Sequence, residues 1–335
     1  MKVNTIVADA LADMPAKARA LEAAGFDSLA RAENNHDPFL PLALAAEHTQ
    51  RIELMTSIVV AFGRTPMALA TIAHDLNAMS SGRFILGLGS QVKGHIERRF
   101  AMPWSAPAAR MREYVQALHA IWDNWYDGKP LDFRGEFYSH TLMTPRFTPE
   151  DKAYGRPKVA IAAVGPLMTQ AAAEVADAVI LHRFTTERYL REVTLPAIEG
   201  ALAASGRPRS AFEINYPPFT AVVHDDAERA AARQRISAQV AFYASTPAYR
   251  RVLELHGWGE LQTEMQAYVK ADRWSEMGAM IDDQVFGAFA VVGDARQVAD
   301  ALVARCAGAI DRISVDLPGA TQEDIEVVVA RLKQG

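Results

Sequence analysis

Two stretches of this 335-residue chain gather chemically useful side chains within a few positions of one another. In Arg31-Ala32-Glu33-Asn34-Asn35-His36-Asp37-Pro38-Phe39, carboxylates, amides and an imidazole follow an apolar run and precede a Pro-containing turn, a setting suited to acid–base work. Glu33 and His36 are its candidates for hydrogen bonding and proton transfer; the plain alternative is a solvated loop histidine. Ser90-Gln91-Val92-Lys93-Gly94-His95 offers hydroxyl, amide, ammonium and imidazole groups, although a charged, solvated helix start would read the same way. Just before it, in Arg83-Phe84-Ile85-Leu86-Gly87-Leu88-Gly89, period two places Gly87 and Gly89 on one face. Two glycines there either clear a flat surface for a ligand or admit another part of the chain at close range.

Other chemistries are excluded. There is no Walker phosphate loop, no His-Glu-x-x-His helix and no Gly-x-Ser-x-Gly elbow. Gly87 to Gly94 fails as a dinucleotide fingerprint, because Val92 stands where the third glycine is required. Cys306 is the sole cysteine, which rules out an intrachain disulfide framework and a multi-cysteine metal cluster; no metal site is expected. Net charge is −5, from 35 basic and 40 acidic residues without basic tracts, which argues against nucleic acid as a partner. No apolar run approaches the ~18 residues of a membrane helix. Met1 leads directly into Lys2-Val3-Asn4-Thr5 without a signal core, so a cytoplasmic location is expected.

The elements that must position these groups alternate along the chain. Strands are expected near 3–8, 26–31, 53–60, 83–89, 158–164, 178–182, 212–223 and 311–316. Helical patterns lie near 13–24, 40–48, 66–79, 107–126, 166–176, 186–204, 225–244 and 294–306. Pro66 and Pro166 suit first helical turns, and Asp225-Asp226 and Asp294 can accept free amides there. Eight buried Val/Ile/Leu strands with helices between them predict an α/β fold, a (β/α)8 TIM barrel forming one domain over 1–335. His182 ends the sixth strand and faces the same mouth. The segments 127–157 and 245–293 exceed ordinary connections, so each is a lid or binding loop, or an insertion packing on the barrel or another subunit.

On these residues the chain resembles the luciferase-like superfamily, in its coenzyme F420-dependent oxidoreductase branch. The resemblance spans nearly the whole chain and rests on Ala23-Ala24-Gly25-Phe26-Asp27-Ser28, on Glu47 to Leu54, and most specifically on Leu76 to Ser90, where Ser81-Gly82-Arg83 precedes Leu86-Gly87-Leu88-Gly89. Ala162-Ala163-Val164-Gly165-Pro166 resembles that family's fifth-strand phosphate turn. The resemblance implies a homodimeric barrel oxidoreductase exchanging hydride between coenzyme F420 and a small organic substrate. It implies a cofactor cradle of Ser57, Ala61, Gly89, Ser90, Gln91, Val164, Gly165 and Pro166, and a non-prolyl cis peptide close to Ser57-Ile58. Two positions depart from the branch pattern. Its acidic-His pair becomes Glu33-Asn34-Asn35-His36, and Val92 replaces a glutamate. The alternatives are an FMN-dependent monooxygenase fed by a partner reductase, and a cofactor-binding protein without catalysis. Loop composition does not encode the shape that would select a substrate.

Overall fold

Eight parallel strands close on themselves in the computed structural model, which describes residues 1–335. They are β1 (Lys2–Val7), β2 (Ser28–Arg31), β3 (Glu53–Thr56, resumed by Val59–Val60), β4 (Phe84–Gly89), β5 (Lys158–Ala163), β6 (Ala178–Leu181), β7 (Glu213–Tyr216) and β8 (Arg312–Ser314). Each strand pairs with its neighbours in order and β8 returns to β1, which makes the expected TIM barrel.

The helices around it are α1 (Met14–Ala23), α2 (Phe39–His48), α3 (Pro66–Met79), α4 (Pro107–Asp127), α5 (Pro166–Val175), α6 (Leu195–Ala204), α7 (Asp226–Ala244), α8 (Ala295–Cys306) and α9 (Gln322–Gln334). Their starts follow local chemistry. The Asp225 carboxylate accepts from the Glu228 amide at 2.8 Å, and Asp294 with Gln297 closes a reciprocal capping box on α8.

Strand periodicity divides the core into two layers. Outward residues such as Phe84, Leu86 and Leu88 join a large apolar cluster beneath the helices. Inward residues Ala30, Met55, Ile85, Ala160, Ala178 and Ile180 fill the lumen. Below them a polar plug seals the N-terminal end: buried Arg312 binds Glu53, Glu213 and Ser28, while Asn4 donates to Ser314 at 2.6 Å. The C-terminal mouth, the end at which barrels of this kind carry their chemistry, is open.

The expected strand 212–223 is two strands. Pro217 and Pro218 supply no N–H and restrict φ, so the chain leaves the barrel after Tyr216. Phe219–Val222 then pairs in parallel with Ala290–Gly293, a strand that sequence reading missed. The segment 245–293 is mostly helical, over Arg250–Leu255, Gly259–Lys270 and Asp283–Phe289. With α7 it builds a second apolar cluster around Phe219, Met265, Met277 and Phe289. In the segment 127–157 the pairing is limited to a short antiparallel hairpin, Phe133–Arg134 with Ser139–His140. The terminal helix α9, capped by Thr321 and Asp324, also went unread.

Candidate active site

A cavity of about 350 Å³ opens at the mouth, within the size range of small-molecule sites. Its walls are strand ends. Ser57 and Ile58 lie between the two parts of β3, Gly89 ends β4 with Ser90 and Gln91 after it, Val164 follows β5, and His182 and Arg183 follow β6. Tyr249 enters from the turn before the helix Arg250–Leu255.

The two glycines of β4 are there for β3. A Cβ on Gly87 would lie 1.9 Å from the Thr56 carbonyl oxygen, and one on Gly89 would lie 2.6 Å from Cδ1 and Cγ1 of Ile58. Thr56 is locked to Gly87 twice: its hydroxyl donates to the Gly87 carbonyl at 2.9 Å and accepts from the Gly87 amide at 2.8 Å. Close packing therefore explains Gly87. Gly89 serves packing and the cavity together, since it lets Ile58 lie across the strand end as one wall. The peptide between Ser57 and Ile58 is cis, where it was expected.

A second set of groups surrounds the turn after β5. Gly165 has φ of +76°, a conformation that favours glycine, and Pro166 opens α5. No acidic residue occupies that first turn, and the hydroxyl of Thr169 donates to the Gly165 carbonyl at 3.0 Å. The first amides of α5 have no helical partner and present positive potential to the cleft beside Val164. Gly165 and Pro166 line a narrower extension of the cavity with Thr169 and Thr185.

Of the expected site residues, Ser57, Gly89, Ser90, Gln91, Val164, Gly165 and Pro166 are brought together. Ala61 is not among them: it is fully buried in a short 3-10 turn behind the wall. Glu33 is committed elsewhere. Its carboxylate accepts from the Val60 amide at 2.7 Å and pairs with Arg64 at 2.7 Å, pinning the end of β3. His36 is exposed and does not line the cavity. Its neighbour Asp37 caps α2, accepting from the Phe39 amide at 2.8 Å.

The imidazole that does face the cavity is His182. Period two along β6 carries Ala178, Ile180 and His182 to one side, so the position was legible as inward-facing. The Phe184 amide donates to Nδ1 of His182 at 3.0 Å, which leaves the ring proton on Nε2. Tyr249 stacks on the ring at 4.7 Å and Tyr243 meets it edge-on at 4.6 Å. Burial, with the adjacent Arg183 cation, pushes its pKa down to about 4. His182 is therefore a neutral donor at neutral pH. Tyr249 had no signal in the sequence, because it lies in a long segment without strand periodicity.

Residues 2–312 match the luciferase-like monooxygenase family. The chain belongs to that family. This luciferase-like oxidoreductase is 52% identical over 329 residues to an uncharacterised protein of Mycobacterium tuberculosis, covering 98% of this chain and 97% of that one. It is 28% identical over 267 residues to a 5,10-methylenetetrahydromethanopterin reductase of Archaeoglobus fulgidus, over 78% of this chain and 75% of the relative. Its fold superposes on the coenzyme F420 dependent tetrahydromethanopterin reductase of Methanopyrus kandleri with a TM-score of 0.79 at 19% identity, over 100% of this chain and 98% of that one. No helix is long and apolar enough to cross a membrane.

A flavin-type cofactor is typical of this luciferase-like family, and the residues present suit one. Ile6, Ile58, Ala162, Val164, Ile180 and Leu181 make apolar walls for a planar ring, and Gly89 leaves room beside Ile58. The α5 turn offers amides without an opposing carboxylate for a phosphate.

Proposed function

We propose that the protein exchanges hydride between coenzyme F420 and a small organic substrate at the barrel mouth. One observation carries the reading: the Ile58–Gly89 wall and the open α5 N-terminus share one cleft, with a neutral imidazole donor between them. A bound deazaflavin would supply hydride chemistry at its central ring carbon. Ile58 and Gly89 would back the ring, while Val164, Gly165 and Pro166 would place the phosphate-bearing tail. Ser90 and Gln91 are held in shape by their own contacts, with Ser90 Oγ donating to the Gln91 carbonyl at 3.1 Å. His182 takes the role the sequence suggested for His36. Its Nε2–H donates to a substrate oxygen that gains negative charge as carbon receives hydride, a contribution of about 10²–10³-fold in rate for such a donor. Tyr249 and Tyr243 hold the ring in place and exclude water from one side of it.

Titration with F420 and with FMN, followed by cofactor fluorescence, tests the reading. Tight F420 binding with hydride exchange is expected. Preference for FMN, with oxygen consumed when reduced FMN is supplied, would overturn it in favour of a monooxygenase. Binding of F420 without any turnover would leave a cofactor-binding protein.

A further inference from the structure

Around the mouth, several cations have partners within the protein. Arg64 binds Glu33 and Asp37, Lys93 faces Glu97 at 3.8 Å, and Arg99 donates to the Asn34 carbonyl. On the next turn, Arg188 and Arg191 pair with Glu192 and Glu187. Arg183 stands apart. It is half-buried in the cavity wall, and its contacts are Gln239 Oε1 at 3.4 Å and the Phe219 ring, 5.3 Å from Cζ. No carboxylate reaches it, and none of the 16 cavity-lining residues is Asp or Glu.

The free polar groups beside it are donors too. Nε2–H of His182 has no partner within the protein, and neither has the Tyr249 hydroxyl, which burial and Tyr243 keep protonated. A half-buried guanidinium with two neutral donors and no acid makes a cavity that favours negative charge. The direction of Arg183 separates this charge from the phosphate turn. β5 and its Gly165 turn lie on one side of β6, and β7 lies on the other. The guanidinium rests on Phe219, past the end of β7, and so leans away from Gly165.

We propose that Arg183 holds an anionic group of the substrate, so that the protein acts on small organic acids whose apolar body lies against Tyr249. This rests on the reading of the mouth as the hydride-transfer site, and it names the substrate class for that site. Phe219 packs beside the guanidinium, and Gln239 accepts a hydrogen bond from it without neutralising it. The cation and the His182 donor, adjacent in the chain, would then fix both ends of a polar group in one orientation.

The probes are benzoate and its neutral isostere benzamide. Their affinities are measured by ligand-observed NMR on the protein with and without F420, for wild type, Arg183→Gln and Arg183→Lys. F420 affinity is measured separately by fluorescence. Wild type should bind benzoate at least about tenfold more tightly than benzamide, with a preference that shrinks as salt is raised. Arg183→Gln should abolish the preference and change F420 affinity less than about threefold. Arg183→Lys should retain part of the preference, which also controls for a misfolded glutamine variant. Equal binding of the two probes by wild type would overturn the proposal. So would a loss of F420 affinity in Arg183→Gln with the benzoate preference intact, since the cation would then serve the cofactor tail. Failure of F420 to bind wild type would instead strike the cofactor reading, while the benzoate preference remains measurable without cofactor.

Discussion

The side chain of Ile58 occupies the space a Cβ on Gly89 would need, with Cδ1 and Cγ1 2.6 Å from that position. Gly89→Ala should therefore cost about 1–3 kcal/mol, the usual range for overpacking, and weaken cofactor binding by displacing the wall. Ile58→Ala removes both clashing atoms, so Gly89→Ala in that background should cost far less. A double-mutant cycle by chemical denaturation, with cofactor titrations alongside, measures the coupling. Additive costs would show that the two residues do not oppose each other. Gly87→Ala has no such rescue, because its neighbour is the Thr56 backbone carbonyl at 1.9 Å.

His182 and His36 part company in kinetics. His182→Phe keeps the stacking volume beside Tyr249 and deletes the Nε2 donor, so kcat should fall by about 10²-fold. His36→Ala, at an exposed position outside the cavity, should leave kcat within about threefold. Single-turnover hydride transfer checks both. The reverse ranking would return the donor role to the loop after β2.

The same imidazole sets a pH expectation. Its folded pKa near 4 lies below the ordinary value of 6.5, because burial and Arg183 disfavour the cation. Above 6.5 the ring is neutral in both folded and unfolded chains, and the shift costs nothing. As pH falls from 6.5 toward 4 the unfolded chain takes up the proton first, so folding stability declines across that window. His182→Phe should flatten that decline in thermal melts, and an unchanged slope would place the titration elsewhere.

His224 works in the opposite direction. Nε2 lies 2.9 Å from Asp324 and Nδ1 lies 2.9 Å from Glu228, joining the start of α9 to α7. Hydrogen bonds to Asp324 and Glu228 raise its pKa. The stabilisation is fully present below the unfolded value of about 6.5 and is lost as pH rises through the raised folded value. His224→Gln should lower Tm at pH 6 and leave it nearly unchanged at pH 9.

Glu33 is expected to matter through β3. Glu33→Ala frees the Val60 amide and leaves Arg64 with only the more distant Asp37, 3.4 Å away. Losing hydrogen bonds to a largely buried carboxylate should cost about 1.5–3 kcal/mol, read from urea unfolding. Cofactor affinity should fall with it, because Ile58 is part of the same wall. Glu33→Ala that weakens kcat alone, with stability intact, would instead support direct proton transfer.

Sequence alone determined what local rules govern. Period two located the strands, placed Gly87 with Gly89 and carried His182 inward. Proline and aspartate chemistry marked the starts of α3, α5, α7 and α8. The block from Leu76 to Ser90 was enough to point to the family. Tertiary structure decided what depends on partners remote in the chain. The reason for Gly87 is a carbonyl 31 residues earlier, and Glu33 meets its arginine across another 31. The Pro217-Pro218 pair ended a strand, but only pairing with Ala290–Gly293 showed where the next one went. Tyr249 reached the cavity from a segment with no strand pattern, and Arg183 stayed unpaired because no acid folded near it. Whether a carboxylate reaches a cation depends on packing across the whole barrel, and the spacing of residues along the chain does not carry that information.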